Sequence, residues 1–103
     1  MSEPEHPLSR VWQRLAHGEA VVAGVLSGTS ADGIDVALLR FGLEGSPAPL
    51  AFETLPFAEP LASELRAALD GQALGAREVA LLARDLGRAF GHAALTLTER
   101  ARL

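Results

Sequence analysis

Nine residues, Ser27-Gly28-Thr29-Ser30-Ala31-Asp32-Gly33-Ile34-Asp35, lead from one apolar run, Ala20 to Leu26, into the start of a second, Ile34 to Leu39. Eight of the nine are small, hydroxyl-bearing, acidic or glycine. Such an interruption predicts a tight turn joining two buried antiparallel strands, over about 20–27 and 33–41. Asp32-Gly33 is a hairpin signal in its own right, because glycine takes positive φ without steric cost. The turn needs only that dipeptide. Three hydroxyls (Ser27, Thr29 and Ser30) and a second glycine, Gly28, are surplus to it. Backbone N–H groups beside Gly28, with those hydroxyls, suit phosphate oxygens. Asp32 and Asp35 suit a magnesium ion, which favours hard carboxylate oxygens and keeps several waters. A plain hairpin turn and a phosphate-binding loop both account for these residues.

Composition removes several alternatives. All nine basic residues are arginine, so a Walker A loop, which requires lysine, is excluded. No two glycines are spaced G-x-G, so the dinucleotide fingerprint is absent too. A net charge of −4 leaves no electrostatic footprint for nucleic acid. The chain has no cysteine, which removes disulfides, thiolate nucleophiles and cysteine-ligated zinc, and suits a reducing cytoplasm. The longest apolar run, seven residues, is too short to span a membrane. With 49% hydrophobic and 21% charged residues, 103 residues can build one modest core. His6, His17 and His92 share no ligand spacing, and no nucleophilic triad is legible.

Residues 1–19 read as an N-terminal extension. They open with Glu3 and Glu5 and lack the apolar core of a secretory signal. Leu8, Val11, Trp12 and Leu15 recur at helical spacing, predicting a short amphipathic helix that Gly18 ends. Such a helix either covers an edge of the fold or docks another chain. The second strand carries apolar residues on both faces: Ile34, Val36 and Leu38 on one, Ala37, Leu39 and Phe41 on the other. That pattern predicts a strand buried on both sides within a layered α/β structure.

Glycines and prolines over residues 42–49 mark a loop before a third strand at about 50–56. Pro60 suits the first turn of a helix ending near Gly71. The last helix, about 76–100, is the most periodic segment. Val79, Leu82, Leu86, Phe90 and Leu97 share one face, and Arg77, Arg84 and Arg88 line the opposite, solvated one. Ala80, Gly87 and Gly91 form a seam of small residues where another backbone has room to approach.

The run from Gly24 to Leu38 resembles the N-terminal signature of the anhydro-N-acetylmuramic acid kinases, G-x-M-S-G-T-S-x-D-G-x-D, with Leu26 in place of the methionine. The likeness extends through the strand at Phe52 to Pro60 and the helix at Leu82 to Ala94, whose Leu86-Gly87 and Phe90 match the family's L-G-x-x-F. It covers roughly residues 21–98. The family belongs to the actin-like ATPase superfamily. The resemblance therefore implies an α/β fold: the N-terminal part of a ribonuclease H-like domain, a hairpin plus a third strand and then two helices. It also implies that 20–103 are a partial kinase domain, because the family's G-x-H-G-Q-T strand and catalytic aspartate are not found in this sequence. A truncated gene product, a split gene and an excised segment all fit.

By the same resemblance, the hairpin tip binds ATP phosphates through Gly28, Thr29, Ser30, Ala31, Asp32, Gly33, Ile34 and Asp35. Asp32 and Asp35 are the candidates for Mg2+. Many superfamily members place an acidic residue where this chain has Leu26, so the metal contact falls to those two. The implied reaction is ATP-dependent conversion of 1,6-anhydro-N-acetylmuramic acid to N-acetylmuramic acid 6-phosphate, in cytoplasmic recycling of peptidoglycan sugars. No residue of this chain is assigned as the general base. The implied partners are ATP and the amino sugar, with no nucleic acid or membrane. A different reading is a non-catalytic interaction module that associates, as a homodimer or with another chain, through exposed apolar surface.

Overall fold

The computed structural model describes residues 6–28, 32–42 and 45–103. In chain order these form α1 (Ser9–Ala16), β1 (Ala20–Leu26), β2 (Ile34–Phe41), β3 (Ala48–Leu55), α2 (Leu61–Leu69) and α3 (Ala76–Arg100). The fold is α/β. The three strands make one antiparallel sheet in the order β1-β2-β3, so β2 is central. Leu26 pairs with Asp35, and Asp35 in turn with Thr54.

One face of β2 makes the core. Ile34, Val36 and Leu38 are at most 2% exposed and pack with Phe57 after β3, Leu61 of α2, and Ala93 and Leu97 of α3. Full burial of each large aliphatic side chain contributes about 1.5–3 kcal/mol. The other face of β2 does not meet the two-sided expectation. Ala37, Leu39 and Phe41 are only half-buried, and their neighbours Val22, Leu26 and Phe52 are exposed. The reason is topological: α3 and α2 pack on the Ile34–Val36–Leu38 side, and on the opposite side Ala20, where α1 meets β1, is the one buried residue among those described. β1 is likewise not the buried strand its apolar sequence suggested. It is an edge, and apart from Ala20 its residues are exposed or half-buried.

β3 begins at Ala48, two residues before the expected position. Pro49, which read as loop, pairs opposite Leu39 next to a register irregularity at Leu38/Leu39. Proline lacks a ladder donor and is tolerated there because β3 is an edge strand. Helix ends follow local chemistry. Gly18, at φ +69°, closes α1, with the Gly18 and Glu19 amides donating back to Leu15 and Arg14 carbonyls. The Glu59 carboxylate accepts from the Ser63 amide and hydroxyl and from Arg66, tying down the first turn of α2. Glu78 accepts from the Gly75 amide at the start of α3, and Arg100 at its end pairs with Glu53 of β3.

Candidate functional site: the loop between the first two strands

The loop over residues 27–33 is held at its base from both sides. Ser27 Oγ donates to the Gly33 carbonyl at 3.2 Å, joining the exit of β1 to the entry of β2. Asp35 Oδ1 accepts from Thr54 Oγ1 at 2.6 Å, which joins the same entry to the end of β3. Gly33 is buried between them. A Cβ built there would lie 3.0 Å from the Leu55 carbonyl oxygen and 3.1 Å from Thr54 Cγ2.

This corrects the role read for Gly33. It does not take positive φ, as it would in a two-residue hairpin turn; glycine is needed because β3 approaches so closely. Seven residues separate Leu26 from Ile34, and Asp32-Gly33 directly precedes β2.

Among the candidate residues, Gly28 and Asp32 are exposed, Asp35 is half-buried, and Gly33 and Ile34 are buried. Ile34 belongs to the core, so its side chain is structural and only its backbone faces the loop. Thr29, Ser30 and Ala31 lie outside the described residues. Asp32 and Asp35 form no ion pair with a described basic residue, which leaves their charge available to a cation. No group of three or more acidic, histidine or cysteine side chains converges among the described residues. Two carboxylates do fit Mg2+, which is commonly held by one or two carboxylates together with phosphate oxygens and water.

Two features beside the loop were not read as site features from the sequence. Thr54 is one. The other is an open apolar groove of about 430 Å3, bounded by Leu26, Ser27 and Gly28 on one side and Leu69, Leu86 and Phe90 on the other. Leu86 and Phe90, four apart on α3, were legible as a helix face but not as the floor of a groove reaching the loop.

An α/β unit with a carboxylate- and hydroxyl-bearing loop clamped at the mouth of its first hairpin defines a class of candidates. Comparison with known families narrows it: the family model described as anhydro-N-acetylmuramic acid kinase matches residues 20–103, and the chain belongs to that family. It is 37% identical over 81 residues to an anhydro-N-acetylmuramic acid kinase of Cyanothece sp., covering 76% of this chain and 21% of the relative. Kinases of the same description from Bacillus cereus and Bacillus anthracis are 37% identical over 83 residues, covering 78% of this chain and 22% of theirs. The chain thus spans about a fifth of the length of the curated relatives it matches. No solved structure matches it significantly.

Proposed function

We propose that residues 20–103 are the phosphate-binding N-terminal part of an ATP-dependent kinase acting on 1,6-anhydro-N-acetylmuramic acid. In this reading they begin an actin-like ATPase domain, and residues 1–19 are an extension to it. The observation that carries the proposal is the clamped loop: Ser27 and Thr54 fix its two ends while Gly28, Asp32 and Asp35 remain accessible. Donors that meet phosphate without reorganising supply the electrostatic part of phosphoryl transfer, and the described ends of this loop are held in that way.

The γ-phosphoryl group moves from ATP to O6 of the sugar and ADP leaves. Water adds at C1 as the C1–O6 bond of the anhydro bridge breaks, and the proton lost by water passes to a base that this chain does not supply. Mg2+ neutralises phosphate charge when bound, with Asp32 and Asp35 as the residues that would hold it. The work left to this chain is to position the phosphates. No helix among the described residues is long and apolar enough to cross a membrane, and the proposed reaction belongs in the cytoplasm.

A direct test replaces the matching N-terminal stretch of the Bacillus cereus relative with residues 20–103 and measures N-acetylmuramic acid 6-phosphate. Activity is expected in the chimera and not in the 103-residue chain alone. A folded chimera that binds sugar but forms no product would contradict the proposal. The second reading, association through apolar surface, is favoured by the uncovered Val22, Leu26 and Phe52. Sedimentation that depends on chain concentration, and is abolished by Phe52→Ser, would support it.

A further inference from the structure

We infer that Thr54 is a positioning residue: it aims the Asp35 carboxylate at the magnesium ion of bound MgATP. This rests on the phosphate-loop reading above and adds to it a residue from outside the loop and its signature. Thr54 and Asp35 are 19 residues apart in sequence but direct partners in the β2–β3 register. The threonine hydroxyl donates to Asp35 Oδ1 at 2.6 Å. Its methyl lies against Gly33, 3.1 Å from where a Cβ would stand. One side chain therefore reaches the last loop residue and the start of β2 with two different groups.

The pairing has a chemical logic. Threonine is stiff at χ1, so the methyl packed on Gly33 also determines where the hydroxyl points. With Oδ1 accepting from the hydroxyl, Oδ2 has no hydrogen-bond partner among the described residues and is the freer oxygen for a cation. A neutral donor suits this task, because an arginine in the same place would compete with the metal for the carboxylate charge. Removing partners that orient a metal-binding side chain typically costs about 10- to 100-fold in metal affinity.

Calorimetric titration of the full chain with MgATP, and separately with ATP in EDTA, reads the magnesium-dependent affinity as a ratio of two dissociation constants. Thr54→Val keeps the shape and removes the donor. It is expected to reduce the ratio about tenfold while leaving binding of metal-free ATP unchanged. Thr54→Ser, which keeps the hydroxyl, is expected to restore most of the ratio. Asp35→Asn should abolish it. In the ligand-free chain, the Asp35 carboxyl 13C resonance should move in Thr54→Val and not in Thr54→Ser.

If Asp35→Asn abolishes the ratio while Thr54→Val leaves it at the wild-type value, the positioning role is wrong and the loop reading survives. If Thr54→Val weakens both constants equally, Thr54 is a packing residue and the inference fails. An unchanged ratio in Asp35→Asn, or no magnesium-dependent affinity in the wild-type chain, overturns the inference together with the metal role of Asp35.

Discussion

Gly33 and the Leu55 carbonyl oxygen stand so close that an added Cβ would meet the oxygen at 3.0 Å. The obstruction is backbone on one side and the β-branched Thr54 on the other, so neither gives way easily. Gly33→Ala should therefore push β3 away from the loop and destabilise the chain by about 1–3 kcal/mol, the usual scale of overpacking. A thermal melt measures the loss, and amide shifts at Thr54 and Leu55 locate it. Unchanged stability and shifts would mean that the approach relaxes without cost.

The sheet is buried on one side only, and two substitutions separate its faces. Leu38→Ala removes a side chain 1% exposed at the centre of the core and should cost about 2–5 kcal/mol, enough to abolish cooperative folding in a chain this small. Phe52→Ser, at a position 68% exposed on the other face, should change stability by about 0.5 kcal/mol or less. Denaturant unfolding of both variants provides the comparison. A large loss in Phe52→Ser would show that something covers the second face in solution.

The seam of small residues on α3 is left open by the rest of the described chain. A Cβ at Gly87 or Gly91 would meet nothing within 4 Å among the described residues. Gly87→Ala and Gly91→Ala should each stabilise this chain by about 0.5–1 kcal/mol, the helix-interior cost of glycine. Denaturation midpoints that fall instead would reveal a partner backbone packed on the seam.

The hydrogen bond from the Ser63 hydroxyl, reinforced by the Ser63 amide and by Arg66, holds the Glu59 carboxyl below its ordinary value of 4.5, against desolvation, the second largest of the effects. A carboxyl with a lowered folded-state value stabilises fully above its unfolded value. That contribution is lost as pH falls through the lowered folded value. The first turn of α2 should therefore loosen in acid below pH 4.5, visible as loss of protection at the Ser63 amide. Glu59→Gln should remove this pH step while leaving the rest of the acid transition in place.

Much of this architecture was legible because its signals are local. The apolar runs on either side of a polar interruption located β1 and β2 to within a residue, and the periodicity after Gly75 located α3. The family likeness rested on the same loop. What sequence did not reveal depends on contacts between distant segments. Pro49 looked like a loop residue until the edge position of β3 made it tolerable. The hydrophobic second face of β2 predicted full burial, yet Ala37, Leu39 and Phe41 stay half-buried. Thr54 read as one more strand residue, because only the β2–β3 register brings its hydroxyl to Asp35. Gly33 was read as a turn glycine for the same reason: its constraint comes from Leu55, 22 positions away.

The proposed function requires the loop between β1 and β2 to bind the phosphates of MgATP. Titrating the 15N-labelled chain with MgATP while following every backbone amide tests it most directly. Saturable shifts are expected at Gly28, Asp32, Gly33 and Asp35, weakened in Asp32→Asn and absent with adenosine in place of ATP. Shifts confined to α2 and α3, or equal shifts with adenosine, would place any binding in the apolar groove. Either result, or no shift at all, would contradict a phosphate-binding loop.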